Sequence, residues 1–103
     1  MLLFPSLARA LSPEAQEFMA ISRQLEPVQC EKQKLRRDIA LAEIERRDAN
    51  ELRERFARLD RDPRNARLEK RLAQLGPRLR RSSDAEDLEA ISRQRREAFY
   101  RCE

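Results

Sequence analysis

From Val28 onward, apolar residues recur at Leu35, Ile39, Ala42, Ala49, Leu52, Phe56 and Leu59 in steps of three, four or seven, and most of what lies between is charged. A period near 3.5 residues puts them on one face of a helix. Unbroken from residue 28 to 61, that helix is predicted to be roughly 50 Å long. Its stripe is narrow, with two heptad positions reliably apolar, which is the pattern of a coiled-coil seam rather than the wide face of a globular helix. Such a helix needs another helix beside it. By register a core position falls on Arg46, between the small residues Ala42 and Ala49. The seam is predicted to be weakest there, as a loose core or a partner's contact.

Composition removes the alternatives to helix. The chain of 103 residues has one glycine, one valine and no threonine, so it lacks both the turn formers and the β-branched residues of a sheet. Its charged fraction is 41%, against about 25% in typical domains. The prediction is an all-α fold, a long helical hairpin or antiparallel coiled-coil-like bundle of three to four helices, forming one domain over 1–103.

Punctuation divides that domain. Residues 1–11 form an apolar segment with Leu3, Leu7 and Leu11 at helical spacing. Ser12-Pro13-Glu14 combines a capping hydroxyl, a first-turn proline and a carboxylate at the positive end of the dipole, so a helix is predicted over 13–26. Pro27 is expected to end it. The long helix over 28–61 is followed by Asp62-Pro63, a cap and first-turn proline expected to send helix 63–76 back antiparallel. That helix carries Leu68, Leu72, Leu75 and Leu79, and Gly76-Pro77 is expected to interrupt it. Ser83 and Glu86 have the spacing of a capping box for a last helix over 84–102, with Leu88, Ile91, Ala98 and Cys102 on one face. Residues 12–24 also echo residues 82–94, sharing Ala-Ile-Ser-Arg-Gln, which suggests duplication or the repeated use of one capping formula.

No catalytic or cofactor chemistry is legible. There is no histidine, and Cys30 and Cys102 belong to no ligand motif, so no zinc set is expected. The two cysteines read as separate thiols in a reducing compartment. Glu43, Glu45, Asp48 and Glu51 alternate with arginines as solvated charge, and the lone Gly76 cannot build a phosphate loop. The expectation is a non-enzyme without cofactor or small-molecule substrate. The opening Met-Leu-Leu-Phe has no basic flank and is broken by Pro5 and Arg9, so neither a signal sequence nor membrane insertion is predicted, and a cytoplasmic location is.

The basic excess is local. Residues 62–81 hold seven basic against two acidic side chains, and Arg78, Arg80 and Arg81 are candidate phosphate contacts. No aromatic interleaves them, and Asp84, Glu86, Asp87 and Glu89 follow closely, so intramolecular neutralisation is favoured over nonspecific nucleic-acid binding.

The expected function is therefore a helical interaction module: an adaptor, scaffold or small chaperone binding a partner helix or a second copy. The seam residues Leu35, Ile39, Ala42, Ala49, Leu52, Phe56, Leu59, Leu68, Leu72 and Leu75 are the candidate contacts, with Phe4, Phe18, Phe56, Phe99 and Tyr100 as anchors. Small Arg/Glu-rich hairpins of this kind resemble stalk proteins and co-chaperones of bacterial export machines. That resemblance is one of class, carries no motif and transfers no residue.

Overall fold

The structure, a computed structural model, describes residues 11–82 and 84–102. It holds four helices, α1 (Pro13–Ile44), α2 (Asn50–Arg61), α3 (Pro63–Ser82) and α4 (Ala85–Arg101), and no strand among the described residues. The all-α prediction is met. Of the predicted 1–11 segment, residues 1–10 lie outside the described residues, as does Ser83 of the predicted capping box.

The first helix begins where the sequence places it. Ser12 is the N-cap, its Oγ accepts from the Ala15 N–H at 3.1 Å, and Pro13 occupies the first turn. The helix does not end at Pro27, however; it runs through that proline for 32 residues, about 48 Å. Losing one backbone bond costs about 3 kcal/mol. Continuity keeps Leu25, Lys32 and Leu35 on one buried face, with Leu25 and Leu35 almost wholly covered, and each such side chain contributes about 1.5–3 kcal/mol. The same balance corrects the break expected at Gly76-Pro77. Leu75 and Leu79 flank it, both are buried, and α3 continues to Ser82.

The predicted helix over 28–61 is in fact two helices joined by a reversal at residues 45–49. Arg46, expected as a weak core position, is the turn residue, with a left-handed φ of 58°. The Arg47 N–H donates to the Ala42 carbonyl at 2.7 Å and the Arg46 N–H to the Glu43 carbonyl at 3.2 Å. These are the two bonds of a Schellman cap, here with arginine where glycine is usual. Asp48 then accepts from the Asn50 N–H at 2.9 Å and starts α2.

At Asp62 the chain changes axis without reversing, contrary to the expected antiparallel turn. Asp62 Oδ1 accepts from the Arg64 and Asn65 N–H groups at 3.0 and 3.1 Å and caps α3 as predicted. Yet α2 and α3 follow one another down α1. Arg53 pairs with Glu43, Asp60 with Lys32, Arg71 with Glu17 and Arg78 with Glu14. Together they form one return arm, and α1 is the other.

Lys32 fastens the joint of that arm. It is 4% exposed, and its Nζ donates to Asp60 of α2 at 2.6 Å and to Glu69 of α3 at 3.0 Å, under the Phe56 ring. Burial pushes its pKa down, but the two carboxylates outweigh that and hold it above the ordinary lysine value.

The last helix runs parallel to α1. Ser12 meets Asp87, the Met19 carbonyl meets Gln94, and Glu26 meets Arg101, each pair 75 residues apart. Asp84 caps α4 with its own side chain, accepting from Glu86 and Asp87. The molecule is elongated, with a radius of gyration of 17.6 Å against about 13 Å for a compact chain of this length.

Candidate docking groove

Besides Leu35, Ala42 and Ala49 farther along the hairpin, the buried apolar residues form two clusters, and their membership defines the groove. Ala15, Leu79 and Ile91 form the first, so α1, α3 and α4 all meet there. Ile21, Leu25 and Leu75 form the second, packed by Phe18, Leu68 and Leu72, with no residue of α4. Helices α3 and α4 therefore part beyond Leu79 and Ile91. The wedge between them is a groove of about 490 Å³. Its floor is α1 from Phe18 to Gln33, its α3 wall is Leu72, and its α4 wall is Gln94, Ala98 and Phe99.

Apolar side chains line the middle and polar ones the edge. Gln29, Gln33 and Gln94 can offer amide donors and acceptors along the rim. Arg95 stands on the same rim without an ion-pair partner among the described residues. Phe99 is 61% and Tyr100 74% exposed, their rings meeting edge to face at 5.6 Å between centroids.

The upper end is closed covalently. Cys30 and Cys102 form a disulfide with their Cα atoms 5.4 Å apart, which corrects the expectation of two separate thiols. Both line the groove and also a recess of about 340 Å³ behind it, where Pro27 and Arg23 lie. Beside the bridge, Arg101 donates to both oxygens of Glu26 at 2.8 and 2.9 Å. That guanidinium holds the Glu26 carboxyl below the ordinary range, against the opposing effect of burial.

The predicted seam is mostly consumed inside the hairpin. Leu35, Ala42, Ala49 and Leu75 are buried, while Ile39, Leu52, Phe56, Leu59, Leu68 and Leu72 are half-buried between the arms. Of the ten, Leu72 alone lines the groove. Leu25, Ala98 and the two cysteines were not among the candidates. Helical spacing puts Phe18, Ile21 and Leu25 on one face, but nothing local tells which part of α1 the last helix covers. Among the proposed anchors, Phe18 and Phe99 both line the groove, and Phe4 lies outside the described residues.

The basic segment is partly spent on α1. Arg71 reaches both oxygens of Glu17 at 2.6 and 2.9 Å, and Arg78 lies 4.0 Å from Glu14. This neutralisation comes from α1, whereas of the acids expected to supply it Asp87 is bonded to Ser12 and Glu89 pairs with Arg93 and Arg96 of its own helix. Arg80 folds back beside Gly76, and Arg81 is exposed. The three candidate arginines do not converge on one point.

Among the described residues there is no group of three or more potential metal ligands, and no helix is long and apolar enough to cross a membrane. No protein-family model matches the chain, and no match is found among curated proteins or solved structures.

Proposed function

We propose that this protein is a non-catalytic helical interaction module that receives one amphipathic helix of a partner protein in the groove between α3 and α4. The observation that carries this reading is the parting of those helices beyond Leu79 and Ile91, which leaves Phe18, Leu72 and Ala98 only half-buried beside an open space, over the buried Leu25. From Phe18 to Gln33 the floor extends about 22 Å, four turns of helix. An incoming helix would complete a four-helix arrangement around it, its apolar stripe over the floor. A carboxylate on its flank would meet Arg95 on the rim. The charged outer faces of the hairpin, laced with pairs such as Arg58–Glu54 and Arg93–Glu89, act as solvated surface.

A photo-crosslinking amino acid in place of Gln33, compared with one in place of Arg58 on the outer face, tests this in the native cell. Capture of a distinct protein at Gln33, weakened at least about tenfold by Leu72→Asp and by Ala98→Arg, is the expected result. Circular dichroism establishes that each variant is folded. Capture of a second copy alone would replace the partner by self-association, and no capture at Gln33 would overturn the reading.

A further inference from the structure

Helix α4 is held unequally along its length. Its first two turns belong to the core, with Ile91 packed on Ala15 and Leu79 and Asp87, 2% exposed, bonded to Ser12. Beyond Ile91 no residue of 92–101 is buried. Among the described residues, its polar ties to α1 are Gln94 on the Met19 carbonyl at 3.0 Å and the Arg101–Glu26 pair, and its only half-buried apolar side chain is the small Ala98. Contacts of that kind compete with water and return little, whereas freeing ten residues releases a large conformational entropy. The remaining tie is the bond from Cys102 to Cys30.

We infer that the Cys30–Cys102 disulfide is a redox switch on the docking groove: oxidised, it holds the second half of α4 in place as the groove's wall; reduced, it releases that wall and abolishes the site. The inference rests on the docking reading for its consequence, but the release of α4 stands on the packing alone. Both cysteines are half-buried, so an attacking thiolate has access. A dithiol reductant attacks one sulfur to give a mixed disulfide and expels the other as a thiol. The reductant's second thiol then displaces the remaining cysteine. Two electrons and two protons pass to Cys30 and Cys102, and the reductant leaves as its own disulfide. Because Cys102 caps the end of α4, the cleaved end can leave without disturbing α1.

A groove whose wall is fixed before binding spares the partner the cost of ordering it. The switch thus reads the compartment. Glutathione and thioredoxin in a cytosol keep the wall released, and an oxidising compartment closes it.

Hydrogen exchange on the full chain, oxidised and then treated with dithiothreitol, tests the release without any partner. Reduction is expected to speed exchange over residues 92–101 at least about tenfold while α1 and α3 stay protected. Tyr100, the single tyrosine in a chain without tryptophan, should lose fluorescence anisotropy in step. Cys102→Ser should behave as the reduced protein and ignore dithiothreitol. Unchanged exchange over 92–101, or unfolding of the whole chain on reduction, would overturn the switch.

The crosslinker at Gln33 then tests the consequence, with capture expected to fall at least about tenfold on reduction. Equal capture in both states would overturn the control of docking by the disulfide. Capture in neither state would overturn the docking reading and that control with it, while hydrogen exchange would still decide whether α4 is released.

Discussion

Ser12 and Asp87 join the beginnings of the two parallel helices: the Ser12 N–H donates to Asp87 Oδ1 at 3.1 Å and its hydroxyl to Oδ2 at 2.6 Å. The same hydroxyl accepts from the Ala15 N–H, so the cap of α1 is oriented by a carboxylate on α4. Asp87→Ala is expected to cost about 2–3 kcal/mol, a lost charged bond together with a weakened cap. Ser12→Ala removes the same unit. Urea unfolding of both single variants and the double should show clear non-additivity, and additive losses would mean the two residues act separately.

Lys32 has one buried charge facing two carboxylates that water still reaches: its side chain is 5% exposed, against 55% for Asp60 and 28% for Glu69. Removing the lysine leaves carboxylates that can be hydrated, but removing both carboxylates leaves a buried cation. The double substitution Asp60→Asn with Glu69→Gln should therefore cost about 3–5 kcal/mol, and Lys32→Met less. Thermal or urea unfolding that reversed this order would contradict the assignment of Lys32 as the joint of the return arm.

Acid should loosen the ion pairs that tie α3 and α4 to α1 before it loosens the core. Arg71 holds the Glu17 carboxyl below its ordinary value, chiefly by hydrogen bonding and against a smaller effect of burial, and Arg101 does the same to Glu26. A carboxylate with a depressed pKa in the folded state contributes stability above its unfolded pKa, about 4.3, and loses it as pH falls through the folded value. Glu17→Gln and Glu26→Gln should lower Tm slightly at pH 7, and the difference should vanish well below pH 4. A difference that persists in acid would assign the effect to packing.

Arg46 occupies the left-handed region at the hairpin turn, where a β-carbon is unfavourable. Arg46→Gly should stabilise the protein by about 0.5–1 kcal/mol, with the relieved strain partly offset by the greater freedom of glycine in the unfolded chain. Arg46→Val should destabilise it. The urea midpoint should shift in these opposite directions at constant slope.

Composition, capping and periodicity by themselves determined that the chain is helical, where α1 begins at Ser12-Pro13 and where α3 begins at Asp62-Pro63, because each depends on side chains bonding their own backbone neighbours. They also placed Leu35, Ala42, Ala49 and Leu75 on an apolar seam, though not that the chain's own hairpin would bury them. Tertiary structure decided where helices end. Pro27 and Pro77 are local breakers, overruled by the buried leucines on either side, and Arg46 is a poor turn former placed in the turn by a Schellman cap. It also decided that Cys30 and Cys102, 72 residues apart, are one bond, and that α4 and α3 part to leave a groove. Those outcomes depend on which helix faces lie together and in what register, information that resides in pairs of distant residues rather than in any one stretch of chain.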